Sequence, residues 1–108
     1  MSIKFPFGLA TILALPYAAV LNPTIDNTRT IASCSLTGDA SVNLTPDPEI
    51  MPGSEVICRF TADGTNRTVT PGANHTGPAI AVNANKIVLV TFIWDGSKFL
   101  TKSSVVLN

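Results

Sequence analysis

His75, the one histidine of the sequence, is the first residue to test for chemistry. It lies in a loop rich in proline and glycine, with no second histidine and no nearby cysteine, whereas most metal sites take several protein ligands. Asp47 and Glu49 flank Pro48 and have the chemistry of a cation ligand or an acid–base pair, but the surrounding residues predict a solvated loop. The sequence has no Gly-x-Ser-x-Gly turn and no glycine-rich loop that leads into a helix. We therefore predict a protein that is not an enzyme and that needs no metal or cofactor.

Cys34 and Cys58 are the other groups with reactive side chains. Each alternates with apolar residues, so both are expected on the apolar faces of strands, where a free cysteine behaves as a small hydrophobic residue. Their spacing matches no metal-binding or redox motif. The sequence leaves two states open: a pair of reduced core thiols, or a disulfide between adjacent strands, whose Cα atoms must lie within about 7 Å of each other.

Asp-Gly dipeptides predict how the chain turns. Asp63-Gly64 and Asp95-Gly96 each follow a similar apolar run, and Asp39 lies between two further runs. Asp-Gly suits a two-residue loop of type I′, because both central residues of that loop need a positive φ. We therefore predict hairpins at these places, with Asp39, Asp63, Gly64, Asp95 and Gly96 as the turn-forming residues.

Alternating apolar and polar residues between these turns predict short strands. They are expected at residues 28–36, 40–45, 54–62, 65–70, 86–94, 98–101 and 104–107. Six to seven short strands at this spacing, built from hairpins, favour an all-β fold, a small antiparallel sandwich or barrel. The predicted β domain covers residues 25–108.

Residues 1–24 are predicted to form an apolar N-terminal arm outside this β domain. Pro6 and Pro16 interrupt its apolar run and leave room for one or two helical turns between residues 8 and 15. The run is too short between the prolines to cross a membrane, which takes about 20 residues. We expect the arm to pack on its own domain or on a neighbouring subunit. Its anchoring side chains would be Phe5, Phe7, Leu9, Ile12, Leu13, Leu15 and Tyr17.

A low charge content is the main feature of the composition. Only 13% of the residues are charged and 45% are apolar, and seven cations balance seven anions. Such a surface exerts no field that would attract nucleic acid or an anionic membrane, so neither is an expected partner. Such a surface needs either another way to remain soluble or a partner to cover it, and burial within a homo-oligomer or a larger particle is the simplest answer. The strand at residues 86–94 should supply both core and interface, through Ile87, Leu89 and Phe92.

Three segments of the chain resemble small β domains in structural proteins of tailed bacteriophage virions. They are residues 65–74, 86–90 and 90–96, and the stretch from residue 44 to 56 also fits. Such domains occur in capsid decoration proteins, head-fibre bases and tail-fibre or tailspike modules. The resemblance implies a structural role on the capsid surface or tail, commonly as a homotrimer that binds the major capsid protein or other virion proteins. The resemblance implies no catalytic residue, and it does not extend to the apolar arm.

The leading hypothesis is therefore a virion structural protein, a capsid decoration or head-fibre anchoring subunit that acts by oligomerisation and surface attachment. One alternative is a tail-fibre or tailspike module that binds a receptor or glycan. A second is a secreted bacterial β protein whose first 20 or so residues are a signal segment, because the N-terminal run has a signal-like outline.

Overall fold

The computed structural model describes residues 10–107, and these residues form an all-β structure without a helix. The strands are β1 (Thr11–Leu15), β2 (Val20–Leu21), β3 (Thr24–Ile25), β4 (Arg29–Leu36), β5 (Ala40–Val42), β6 (Thr45–Pro46), β7 (Glu55–Ala62), β8 (Arg67–Pro71), β9 (His75–Thr76), β10 (Ile80–Val82), β11 (Ile87–Trp94) and β12 (Phe99–Leu107). The prediction of an all-β fold is confirmed.

The strands form three sheets. A six-stranded sheet has the order β1-β4-β7-β11-β12-β9, a four-stranded sheet has the order β10-β8-β5-β2, and β3 pairs with β6 in a two-stranded sheet. Within the first sheet, β1, β4 and β7 are parallel, and β2, β5 and β8 are parallel within the second. The chain therefore contributes one strand to each of the three sheets in order. It then returns to the first sheet and adds the next strand beside the previous one.

This path makes the architecture solenoid-like, unlike the sandwich or barrel that the turn signals predicted. One coil runs through β1, β2 and β3, and the next runs through β4, β5 and β6. Backbone hydrogen bonds continue the stacking of these two coils through their corners: Ser41 N–H to Ala19 O (2.8 Å), Asn43 N–H to Leu21 O (2.7 Å), Thr45 N–H to Pro23 O (2.9 Å) and Asp47 N–H to Ile25 O (2.9 Å). Because each coil supplies the hydrogen-bond partners of the next, coils stabilise one another in the manner of repeat proteins.

The C-terminal part of the chain changes this pattern. β11 runs antiparallel to β7, and β12 runs antiparallel to β11 with a register shift between Thr91 and Phe92. β10 likewise pairs antiparallel with β8. The parallel coils are thus followed by an antiparallel section in the same two sheets.

The core lies between the sheets and is built by strict alternation along the strands. In β4, β7 and β11 every second residue is buried, and all of these inward side chains except that of Thr30 are apolar. The largest fully buried side chains are Phe60, Phe92, Phe99, Ile25, Leu36 and Leu44. Cys34 and Cys58 belong to this core as free thiols, which selects the first of the two states left open by the sequence.

Two of the three predicted hairpins are wrong. The turn that contains Asp39 joins β4 to β5, and Asp63-Gly64 joins β7 to β8, but in each case the two strands lie in different sheets. Both turns are corners of the solenoid, because the strands on either side pair with earlier and later coils and not with each other. Asp95-Gly96 does connect an antiparallel pair, β11 and β12. Even there Asp95 does not have the positive φ of a type I′ turn, and only Gly96 does, at 98°.

The segment predicted as a separate arm is continuous with the sheets in its described part. Residues 11–15 form β1 and pair in parallel with β4, so the predicted helical turns are replaced by a strand from Thr11 onward. β2 pairs with β5 in the four-stranded sheet, and Leu21 is buried in the core. The apolar alternation of this segment thus serves the first coil. Phe5, Phe7 and Leu9 lie outside the described residues.

Candidate assembly surface

The outer face of the six-stranded sheet carries rows of apolar side chains. The inward positions of β1, β4 and β7 fill the core, so the residues between them point outward. Parallel in-register pairing then aligns Ile12 with Ile31, and Ile31 with Ile57. Like residues are stacked across three neighbouring strands, a spacing at which side chains contact one another.

The isoleucine row itself ends at β7, because Ile57 lies beside Thr91 and Thr91 lies beside Ser103. Apolar side chains are present in the neighbouring rows of the antiparallel section. β11 and β12 add outward side chains that lie beside those of β7, and Leu89 has Arg59 on one side and Val105 on the other. We call the whole set the apolar face: Ile12, Ile31, Ile57, Ile87, Leu89, Ile93, Leu100, Val105 and Leu107. Ile12 is 68% exposed and Val105 is 51% exposed, and the others are half-buried.

Charges lie mainly at one margin of this face. Lys102 Nζ donates to Glu55 Oε2 at 2.8 Å, and Arg29 lies opposite Glu55 on the adjacent strand. The hydrogen bond and charge of Lys102 lower the pKa of the Glu55 carboxyl, so this carboxyl stays ionised at neutral pH. Arg59 lies further in, between Ser33 and Leu89. Arg59 is thus the one charged residue in the interior of the face. The hydroxyl-bearing Ser33, Ser35, Thr61 and Thr91 also point outward there, between the apolar side chains.

The outer face of the four-stranded sheet has the opposite character. Ser41 lies beside Thr70, and Thr68 lies beside Ala81. We call these residues the polar face. Val20, which is 53% exposed, is its one large apolar side chain and stands at its edge. Two sheets of one solenoid therefore present very different surfaces to the surroundings.

The predicted interface residues are divided between surface and core. Ile12, Ile87 and Leu89 lie on the apolar face. Leu13 and Leu15 face inward and pack against the core, and Phe92 is completely buried, so these three positions contribute to folding. No described contact tests whether any of them anchors the subunit to a partner.

Tyr17, the remaining predicted anchor residue in the described part of the chain, stabilises a corner of the solenoid. Its hydroxyl donates to the backbone oxygen of Asp39 at 2.8 Å. The ring passes directly over Gly38, where a Cβ would overlap the hydroxyl, so glycine is required there for this contact. The link joins the first coil to the corner between β4 and β5.

Six apolar-face residues are missing from the predicted set: Ile31, Ile57, Ile93, Leu100, Val105 and Leu107. Alternation in the sequence marks Ile31 and Ile57 as outward residues of their strands. It does not show that parallel pairing stacks the two residues, because the register joins segments far apart in the chain.

The predicted turn-forming aspartates all accept backbone hydrogen bonds. Asp39 Oδ1 accepts from Thr68 N–H (3.0 Å), Asp63 Oδ1 accepts from Thr65 N–H (3.2 Å), and Asp95 Oδ1 accepts from Ser97 N–H (2.7 Å) and Lys98 N–H (2.6 Å). Asp63 also forms an ion pair with Arg67 at 2.8 Å. The hydrogen bond from Arg67 lowers the pKa of Asp63, and those from Lys98 and Ser97 lower the pKa of Asp95. The Asp63 and Asp95 carboxylates therefore stabilise their turns while ionised.

His75 is a core residue. Its Nε2 accepts a hydrogen bond from Leu44 N–H at 3.0 Å, and its ring contacts Phe92 and Phe99, with centroid distances of 4.8 and 5.5 Å. Burial lowers its pKa to about 4, so the imidazole is neutral near pH 7, and because Nε2 is an acceptor the proton is on Nδ1. Within residues 10–107 no three His, Cys, Asp or Glu side chains are grouped closely enough to hold a metal ion.

The cysteines have no reactive environment either. Burial raises the pKa of Cys58 to about 12, and the charge of Cys34 adds to this effect. Burial also raises the pKa of Cys34. Both thiols are therefore protonated at neutral pH and act as small apolar groups.

A cleft of about 250 Å³ opens beside Tyr17, at the ends of β1, β4 and β7. Arg59 lines it together with the hydroxyl-bearing Ser33, Ser35 and Thr61. These are groups that hydrogen-bond sugars or small anions. The alternative prediction of a receptor- or glycan-binding module would find its ligand here, and it stays a prediction.

Neither a protein-family model nor a curated protein matches the sequence. In the part of the chain that the structure covers, no helix is long and apolar enough to cross a membrane.

Proposed function

We propose that the protein is a non-catalytic structural subunit that assembles into a larger particle by burying its apolar face. The particle we propose is the virion of a tailed bacteriophage, in which the subunit decorates the capsid or anchors a head fibre. The contrast between the apolar face and the polar face of one solenoid supports assembly. The resemblance of residues 65–74 and 86–96 to virion β domains supports the kind of particle.

The energetic argument rests on the exposed apolar side chains. Full burial of a large aliphatic side chain contributes roughly 1.5–3 kcal/mol relative to water exposure. Ile12 and Val105 are mostly exposed, and the other residues of the apolar face are half-buried. Exposed apolar side chains that cluster on one face mark interaction sites in proteins, whereas singly scattered ones do not.

The proposed partners are neighbouring copies of the chain and, beyond them, the major capsid protein or other virion proteins. The resemblance implies three copies, but the number does not follow from the apolar face itself. The virion is accordingly the proposed location. A subunit with so few charges suits this role, because its surface is covered after assembly.

Substituting Ile31 at the centre of the isoleucine row tests the proposal. Ile31→Lys places a charge between Ile12 and Ile57, so we expect the particle mass in sedimentation-velocity experiments to fall below that of the unmodified protein. Thr70→Lys adds the same charge to the polar face and should leave the mass unchanged. Circular dichroism of both variants shows whether each is folded.

Two results would contradict the proposal. One is an unmodified protein that sediments as a single 11.3 kDa chain at every concentration. The other is an equal loss of mass in the Ile31 and Thr70 variants, because the two faces would then not differ in function.

A further inference from the structure

β12 extends beyond the strand that covers its outer edge. It pairs with β11 from Phe99 to Leu107, but β9 covers only Phe99 and Leu100, through His75 and Thr76. In the described chain no strand lies beside the edge of residues 103–107. The backbone N–H and C=O groups on that edge are available to another strand.

A β-bulge separates the covered and uncovered parts of β12. Phe92 lies opposite Thr101 and Thr91 lies opposite Ser103, so Lys102 is the extra residue of the bulge. Beyond Lys102 the pairing is regular, and residues 103–107 have the sequence Ser-Ser-Val-Val-Leu. Native proteins protect free edges with charges, prolines or bulges, and these five residues have none of them.

The uncovered segment exposes apolar side chains on both sides of the sheet. Val105 belongs to the apolar face and is 51% exposed. Val106 points to the opposite side and is 61% exposed, although its cross-strand neighbour Val88 is 1% exposed. A strand added along this edge would cover both valines.

We propose that β12 pairs antiparallel with β12 of a second copy of the chain. Directly opposed residues of an antiparallel pair point to the same side of the sheet. The register that satisfies this rule and pairs all of residues 103–107 places Val105 opposite the Val105 of the second copy. It also places Ser104 opposite Val106 and Ser103 opposite Leu107.

This pairing rests on the proposed function and deepens it, since it names the partner strand. A two-fold axis that relates antiparallel edge strands is perpendicular to the sheet, so both copies present their outer faces on the same side. The pair therefore joins two apolar faces into one surface. Larger particles would then be assembled from two-chain units.

β1 of another copy is the alternative strand that could pair with the free edge of β12, because β1 forms the opposite edge of the same sheet. Pairing β12 with β1 is a head-to-tail contact, and repetition of such a contact without closure gives filaments. Pairing β12 with itself stops at two chains. The size of the assembly therefore separates the two arrangements.

The experiment uses the Ile31→Lys protein, in which contacts through the apolar face are weakened. We expect sedimentation velocity to show a species of two chains, and we expect Ile31→Lys/Val105→Lys to show one chain, because two like charges would be opposed. Ile31→Lys/Val20→Lys is the matched control, since Val20 is 53% exposed on the other sheet, and it should keep two chains. Folding is checked by circular dichroism in each case.

A cross-link tests the register without adding charge. Val105→Cys should form a disulfide-linked dimer under mild oxidation, because opposed Cβ atoms lie about 4.5–5.5 Å apart, close to the separation that a disulfide needs. Val20→Cys should give only the background of random collisions. The native Cys34 and Cys58 are buried and should not react.

A single-chain species in the Ile31→Lys protein, an odd number of chains, a filament, or no cross-link above the Val20→Cys background would each overturn β12 pairing. Failure of the proposed function gives a different result. In that case Ile31→Lys leaves the mass of the unmodified protein unchanged.

Discussion

The turns at Asp63-Gly64 and Asp95-Gly96 contain the same two residues but connect their strands differently. At Asp63-Gly64 the chain leaves β7 in the six-stranded sheet and enters β8 in the four-stranded sheet. At Asp95-Gly96 it reverses from β11 into β12 within one sheet. Gly96 has a φ of 98°, whereas Gly64 is not among the residues with a positive φ.

Backbone hydrogen bonds explain the difference. Asp63 N–H donates to Leu36 O, so this corner is tied to the preceding coil. Asp95 N–H donates to Lys98 O, so the hairpin closes on itself. The dipeptide permits a turn in both places, and the strand that lies beside it decides which turn is formed.

Acidification should produce the largest effect and should act at the hairpin end, where Phe99 of β12 packs on His75. The pKa of His75 is lowered from 6.5 to about 4 in the folded protein. Between these values the unfolded chain binds a proton that the folded chain does not, so stability falls as the pH falls through this window. The expected loss is about 3 kcal/mol in the free energy of unfolding. Urea unfolding followed by Trp94 fluorescence measures it.

His75→Gln is the control for this prediction, because the glutamine amide oxygen is able to accept the hydrogen bond from Leu44 but does not titrate. The pKa values of Glu55, Asp63 and Asp95 are also lowered. The stability that these carboxylates give to the folded protein is lost only when the pH falls below their ordinary pKa values near 4. If His75→Gln and the unmodified protein lose the same stability between about pH 6.5 and 4.5, the histidine is not the cause.

Alanine at the two glycines tests the comparison of the turns directly. Gly96→Ala forces a side chain into a backbone conformation that L-residues rarely adopt, so we expect a loss of about 1–3 kcal/mol. Gly64→Ala meets open space at a residue without positive φ, and it should change stability by less than about 1 kcal/mol. Urea midpoints of the two variants give the difference. Equal losses would mean that the turns have the same backbone requirements.

The smallest effect is expected at the corner ion pair. Arg67→Gln removes the contact with Asp63, which lies at the protein surface, so we expect a loss smaller than that of Gly96→Ala. The difference between the unmodified and variant proteins should shrink in about 1 M salt, where the Debye length is about 3 Å. A loss that is independent of salt would assign the contribution of Arg67 to packing.

Local pattern predicted the longer strands well. The expected strands at residues 28–36, 54–62 and 86–94 agree with β4, β7 and β11 to within one residue. Alternation also separates inward from outward side chains in them, and so it correctly indicates the core positions. These features depend on neighbouring residues in the chain, which is the range over which a sequence pattern is informative.

The parallel stacking of the coils was not predictable from such patterns. Two-residue strands such as β2 and β3 have no periodicity to detect, and their pairing with β5 and β6 joins residues about 20 positions apart. Without that stacking, a turn between two alternating runs predicts a hairpin. The apolar face was missed in part for the same reason, because Ile12, Ile31 and Ile57 become neighbours only through the register.

The coils keep their register although their lengths differ. Thr11 is aligned with Thr30, and Thr30 is aligned with Val56. More residues separate the second pair than the first, and the loop at residues 47–53, which is largely exposed, accommodates the extra length. Foreign peptides grafted into this loop should therefore leave the stacked framework intact. In this respect the chain should act as a compact carrier for the display of new binding specificities.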